Sequence, residues 1–509
     1  MAKRILAILG IVLASAVLFV VGCAVILFLA PGVEIFGIRY VAVGQGNNYY
    51  RDYADGFSGD IYISSIEVPV IISYQWGIST PEIEYKQEFI GFTRSERRDN
   101  QLVQGVENNN LYITAYDTEE FIYSHESVSE ESEFLKVRIP QTYVNRKVFV
   151  EADSSNVTIE AGGSGIQSEI KIDTTGEISI NGTLNVGVLD ISTKRSLVLG
   201  NNVHADTLNL KGGSYTVNID GAIASVMNVE MGSGSVVMTQ ANILNFKSTS
   251  GSIKAKDGSK LTIAQGNIET YSGNISVDRF TGSELSTIKT TVGNVTIGEA
   301  EKINVENLRS STMINKVASG NITGGIGVIS VLEATSSLSA TTQSGYVYLG
   351  EADKSVKNPT IQTKTGKIVA ENVSGNVNLI SKNNSVTMKG TNVLSVNIES
   401  GGSVLATGVQ GETQISGDGE IDVTVVALTG NVNIEAGDGC KKVTLNMRDV
   451  SIDTFNYEFT SSKSRNAFVY AGDAKLFEES SIIKSETVNS FLKALTITTS
   501  YADMYVYTK

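Results

Sequence analysis

One short pattern recurs between residues 176 and 434: a glycine, any residue, Ile or Val, any residue, then an apolar residue. It reads Gly176-Glu-Ile178-Ser-Ile180, Gly251-Ser-Ile253-Lys-Ala255, Gly273-Asn-Ile275-Ser-Val277 and Gly293-Asn-Val295-Thr-Ile297. It returns as Gly345-Tyr-Val347-Tyr-Leu349, Gly366-Lys-Ile368-Val-Ala370, Gly375-Asn-Val377-Asn-Leu379 and Gly402-Ser-Val404-Leu-Ala406, and closes with Gly419-Glu-Ile421-Asp-Val423 and Gly430-Asn-Val432-Asn-Ile434. Each copy is a turn residue followed by a period-two strand whose β-branched residues face one way. No single copy can bury its apolar side, so the copies must stack on one another. The pattern therefore predicts an all-β chain, a parallel β-helix or β-solenoid-like array.

Spacing between copies sets the size of the unit. Steps are 22 residues from Gly251 to Gly273, 20 to Gly293 and 21 from Gly345 to Gly366, with half-steps of 9 from Gly366 to Gly375 and 11 from Gly419 to Gly430. This spacing predicts a coil of about twenty residues with two or more strands, both of which carry the box where half-steps occur. Inward Ile and Val would pile into columns while Ser, Thr, Asn and Lys face water, with Asn stacked in ladders. Glycine would give the corners backbone freedom. Gly320-Asn-Ile322-Thr-Gly324 loses its second apolar residue, which predicts a local bulge or packing irregularity.

Residues 5–30 hold no charge and follow Lys3 and Arg4. Twenty-six apolar or small residues are long enough for a helix to span a bilayer with some tilt. Residues 1–4 then form a cytoplasmic N-terminus, 5–30 a transmembrane signal-anchor helix, and the rest lies outside a cell membrane crossed once. Val20-Val21-Gly22-Cys23 also resembles a lipoprotein box, but the apolar run continues beyond Cys23.

Residues 38–150 form a β-rich N-terminal module dense in Tyr, Phe and the single Trp76, either antiparallel or the first irregular coils of the solenoid. Residues 151–440 carry the solenoid repeats. Residues 441–509, where aromatics return, read as a β-rich cap over the open edge, with a short helix around 480–492.

The order of features resembles a bacterial family of candidate adhesins with β-strand repeats, a domain of otherwise unknown function. The matching points are the apolar N-terminal run, Ile66-Glu-Val68-Pro-Val70-Ile-Ile72, Leu135-Lys-Val-Arg-Ile139-Pro140 and boxes such as Ser272-Gly273-Asn274-Ile275. The resemblance covers about residues 55–440. It implies the repeat fold and a surface location, and it carries no catalytic residues.

Chemistry is thin. The net charge of −14 argues against nucleic acid, and the short basic cluster Arg94-Ser-Glu-Arg97-Arg98 reads as a solvated loop. The acidic stretch 126–133 lacks a calcium-loop pattern. His125 and His204 are far apart, and no Ser or Cys elbow accompanies His204 and Asp206. Cys23 and Cys440 are not expected to pair. The acids Asp153, Asp173, Asp190, Asp206, Asp220, Asp257, Asp278, Asp353, Asp418, Asp422 and Asp438 could serve a polysaccharide-active β-helix only if coil register aligned them. The expected function is a membrane-anchored, adhesin-like surface protein without catalysis, metal or cofactor, whose partner is a glycan, an envelope polymer or a protein. The alternatives are a structural or envelope-stress scaffold for membrane partners, and a polysaccharide-active enzyme. An exposed aromatic ladder on one face would favour glycan binding.

Overall fold

The computed structural model describes residues 10–22, 33–35, 38–54, 56–93, 102–116, 133–200, 202–219, 221, 223–463, 465–480, 482–484 and 492–509. The chain divides into two compact units, residues 1–225 and 226–509, and both are parallel β-solenoids.

In the second unit the boxes explain themselves. Gly366 and Gly375 open the two faces of one coil: Ile368 pairs with Val386 on one face, and Val377 pairs with Val396 on the other. The half-steps are thus the two strands of a coil. Ile275, Val295, Ile329, Val347, Ile368 and Val386 are each at most 2% exposed and lie in one column in register, with the buried Thr312 between Val295 and Ile329. The Gly320–Gly324 box itself pairs in unbroken register with both neighbours; a register shift lies just before it, between Val317 and Ser319.

Corner freedom is not why the box needs glycine. Of the ten box glycines only Gly375 has a positive φ, at +76°. The others sit where the preceding coil's backbone comes too close for a side chain. A Cβ on Gly273 would lie 1.8 Å from the carbonyl oxygen of Gly251, and one on Gly293 would lie 1.7 Å from that of Gly273. Three residues before the glycine, a buried hydroxyl locks this contact. Thr270 Oγ1 donates to the Gly251 carbonyl at 3.2 Å and accepts the Gly273 N–H at 3.1 Å. Thr342 does the same with the Gly325 carbonyl and the Gly345 N–H, at 2.9 and 3.1 Å. These hydroxyls satisfy corner backbone groups that water cannot reach.

Outward rows are complementary. Asn267 donates to Asn245 at 3.0 Å and Asn245 donates to Asn228 at 2.8 Å, which is the expected amide ladder. In the row beside it, Glu230, Lys247, Glu269, Lys289 and Glu306 follow one another in register, with signs alternating. At the C-terminal end the order in space departs from the order in sequence. Lys493–Thr499 stacks on Val432–Ala436, and Phe455–Ser461 stacks outside Lys493–Thr499. Antiparallel strands Ala474–Ser480 and Ile482–Lys484 then border this last coil. These strands occupy the start of the segment expected to be helical, because an open parallel edge is better closed by further pairing; residues 485–491 lie outside those described.

The first unit uses the same device. Ile61–Ile66 stacks on Lys147–Asp153, and Asn110–Tyr116 stacks outside Ile61–Ile66. The strands of 38–150 are therefore both early coils and antiparallel additions: Leu102–Glu107 pairs antiparallel with Asn110–Tyr116, and Glu82–Thr93 pairs antiparallel with Glu133–Pro140. Asn108 and Asn109, with φ of 50° and 66°, make the tight two-residue turn that a hairpin favours.

The expected N-terminal helix is described only in part. Residues 10–22 are helical, and the side chains of 10–21 are exposed. Among the described residues no helix is long and apolar enough to cross a membrane. Residues 5–9 and 23–30, Cys23 included, lie outside those described.

Candidate functional site

Three short triplets in the first unit share a pattern, apolar–aromatic–apolar: Ile61-Tyr62-Ile63, Leu111-Tyr112-Ile113 and Val148-Phe149-Val150. In each, the flanking residues are buried and the aromatic faces outward, as strand alternation requires. Register then aligns them. Tyr112 neighbours Tyr62, Tyr62 neighbours Phe149, and Phe149 neighbours Lys171.

The rings form a stack. The Tyr62 and Tyr112 centroids are 4.8 Å apart with planes 11° from parallel, and Tyr62 and Phe149 are 4.8 Å apart at 17°. Parallel rings close to about 3.5 Å, so this separation means an offset of about 3 Å. Each ring thus leaves part of one face uncovered, like a shingle. Opposite Tyr112, the partner strand presents Gly105, where an added Cβ would meet nothing within 4 Å. That end of the row stays open.

Two residues further along each strand lies a polar row: Thr114, Ser64, Glu151 and Asp173, again in register. The aromatic and polar rows border a groove of about 490 Å³. Ser64 and Thr114 are small and half-buried, while Glu151, Asp173 and Lys171 are exposed. On the far side of the aromatic row Lys147 pairs with Glu169 at 2.8 Å, a contact that raises the lysine pKa above its ordinary value. Desolvation against its neighbours, with a contribution from Asp60, raises the Tyr62 phenol pKa, which keeps it a neutral donor and acceptor. The groove therefore offers ring faces, hydroxyls and carboxylates side by side.

The acids named from the sequence are dispersed. Asp173 lies in the groove. Asp190 is one strand from it, beside Lys171, and accepts a hydrogen bond from Asn209. Asp153 accepts from Thr175 at 3.3 Å, Asp278 accepts the Leu261 N–H at 2.7 Å, and Asp257 precedes the left-handed Gly258 in a turn. His204 is in register with Asn185, without a nucleophile nearby in the pairing. Among the described residues no group of three or more His, Cys, Asp or Glu could hold a metal ion. Asp220, His125, the basic cluster at 94–98 and most of the acidic stretch at 126–133 lie outside the described residues. Cys440 is buried as a free thiol, and burial pushes its pKa up. A second groove of about 590 Å³ lies in the unit of residues 226–509. It is lined by corner residues such as Ser381 and Ser400 with Glu399 and Glu435, and has no aromatic wall.

The strands that build the groove lead straight into the repeats, and the family match follows the same path. Residues 79–311 match the Toastrack DUF4097 family. The Toastrack match is narrower than the 55–440 that the sequence suggests. It includes Tyr112, Phe149, Glu151, Lys171 and Asp173, while Tyr62 and Ser64 precede it. Among solved structures, a candidate adhesin from Parabacteroides merdae is 13% identical, covering 68% of this chain and 96% of its own, with a TM-score of 0.20. A candidate cell adhesion protein from Clostridium sporogenes is 8% identical, covering 91% of this chain and 100% of its own, with a TM-score of 0.13. No curated protein matches the chain.

Proposed function

We propose that this chain is a membrane-anchored, extracellular binding protein that holds a glycan in the groove of residues 1–225 without cleaving it. The observation that carries this reading is the shingled row Tyr112–Tyr62–Phe149, which faces solvent along a groove, whereas the stacked pairs Phe468–Tyr505 and Tyr470–Tyr507 of the other unit line neither described groove. Partly open aromatic faces beside hydroxyls and carboxylates suit a sugar, which has apolar ring faces and a polar rim.

Anchoring is supported by the uncharged run 5–30 behind Lys3 and Arg4, and by the exposed apolar side chains within 10–21, such as Leu13, Leu18 and Phe19. Binding without cleavage is supported by the placement of the acids. Glycoside hydrolysis uses two carboxylates that flank the bond in unlike environments. Glu151 and Asp173 are both exposed and stand on the same wall of the groove.

The test uses the full chain in detergent micelles. Immobilised neutral, amino and acidic polysaccharides are each offered to the wild type and to Tyr62→Ala with Tyr112→Ala. Retention on at least one polymer that the double variant loses, with no released product, supports the reading. Equal retention of both proteins, or product release by the wild type alone, overturns it. For location, a C-terminal tag should be reachable by antibody on intact cells, and a tag reached only after lysis contradicts anchoring with the chain outside.

A further inference from the structure

We propose that the groove selects a cationic polysaccharide, one whose sugars carry free amino groups; this rests on reading the groove as a glycan site. The argument starts from charge register. Cross-strand neighbours of like charge repel, and β-sheets avoid them. The described pairings follow that rule: Lys147 faces Glu169, Lys171 faces Asp190, Arg279 faces Glu299, and Lys316 faces Glu333. Glu151 beside Asp173 is the one same-sign pair among the described registers.

Neither carboxylate has a cation directly opposite it: the groove's Lys171 lies two residues before Asp173 on the same face and is in register with Phe149 and Asp190. Among the described residues neither has an ion pair or a side-chain hydrogen bond. The nearby Lys147 is engaged by Glu169 on the other side of the aromatic row. Two adjacent carboxylates thus stand one strand spacing apart, about 4.8 Å, facing the same groove as the aromatic row. With two carboxylates against one groove cation, Lys171, the lining keeps a net negative charge that favours a cationic occupant. An ammonium group between Glu151 and Asp173 would remove the repulsion, while its sugar ring lies against the exposed part of Phe149 or Tyr62. Glu151 and Ser64 neighbour one another across the strands, so adjacent hydroxyls of the same sugar would meet Ser64. A uronic-acid polymer would bring negative charge to negative charge. The geometry therefore disfavours the polyanions that many β-helix enzymes cleave.

The experiment measures binding of the full chain in detergent micelles at pH 6 and low salt. The probes are a glucosamine hexamer, its N-acetylated counterpart, a galacturonate oligomer and an oligolysine of matched charge. Amines of ordinary basicity are charged at this pH. The glucosamine hexamer should bind about tenfold more tightly than the N-acetylated one, and lose most of that advantage at high salt. The variant Glu151→Gln with Asp173→Asn should lose about tenfold toward the amino hexamer, and with it the preference for that hexamer over the acetylated one. Equal binding of the two hexamers, or an unchanged double variant, overturns the proposal but leaves a glycan groove standing. Oligolysine binding as tightly as the amino hexamer also overturns it, since charge alone would then suffice. If Tyr62→Ala with Tyr112→Ala binds both hexamers as the wild type does, the glycan reading itself fails.

Discussion

Replacing Thr270 by valine keeps the shape of a buried side chain and deletes one hydroxyl. That hydroxyl joins two coils: it donates to the carbonyl of Gly251 and accepts from the N–H of Gly273. Thr270 is 2% exposed, so water cannot replace the lost partner. Leaving a buried donor or acceptor unmade costs about 1–3 kcal/mol. Two such groups cost about 2–6 kcal/mol, offset by about 0.8 kcal/mol for the added apolar methyl. The expected loss is centred near 3 kcal/mol, which lowers the melting temperature of a unit this size by roughly 5–10 °C. Thermal unfolding of the full chain in detergent reads this, with Thr296→Val as the control because Thr296 faces outward on the same unit. The control should stay within about 0.5 kcal/mol of wild type. If Thr270→Val melts with the wild type, or if Thr296→Val loses as much, the corner hydroxyl does not act as argued.

Other perturbations reach the same architecture from different sides. Gly293→Ala places a Cβ 1.7 Å from the Gly273 carbonyl oxygen, so it should be more damaging than Thr270→Val, seen as loss of protease-resistant protein. Gly105→Ala meets open space and should leave the melting temperature unchanged. Ile288→Ala empties a fully packed site, since Ile288 is 1% exposed, and should cost about 2–5 kcal/mol by urea unfolding. Burial pushes the Tyr215 phenol pKa up to about 12, and its hydroxyl donates to the Thr193 carbonyl at 2.8 Å. The neutral form is favoured in the fold, so this contribution is complete below the ordinary pKa of about 10 and is lost as pH rises through about 12. Tyr215→Phe should be less stable than wild type at pH 8, with the gap narrowing between pH 10 and 12; a gap that widens there contradicts the assignment.

How far the fold was legible depended on how local its causes were. The box exposed the inward columns because each strand reports its own periodicity. It hid the reason for its glycine, because the clash at Gly273 is with a residue 22 positions earlier. The hydroxyl of Thr270 was equally hidden: Ser/Thr-x-x-Gly is visible in the sequence, but only stacking gives it two partners. The groove was legible in part. Tyr62 belongs to an aromatic-rich zone plain from composition, and the three apolar–aromatic–apolar triplets were there to be compared. Their alignment was not. Asn110–Tyr116 stacks outside Ile61–Ile66, and Lys147–Asp153 stacks on its other side, so the order in space is not the order along the chain. No spacing rule for coils of twenty residues would place Tyr112 beside Tyr62, whereas the 22 residues from Glu151 to Asp173 are one ordinary coil step. At the N-terminus composition suggested a helix of twenty-six residues, and thirteen of them are described as helical.

The central claim is that the row Tyr112–Tyr62–Phe149 is the surface that holds the ligand. Tyrosine nitration of the full chain, mapped by mass spectrometry with and without a saturating polysaccharide that the chain retains, tests it most directly. The account predicts that Tyr62 and Tyr112 become protected while Tyr505 and Tyr507, stacked in the other unit, react as before. Protection at Tyr505 and Tyr507 with Tyr62 and Tyr112 unchanged would contradict it.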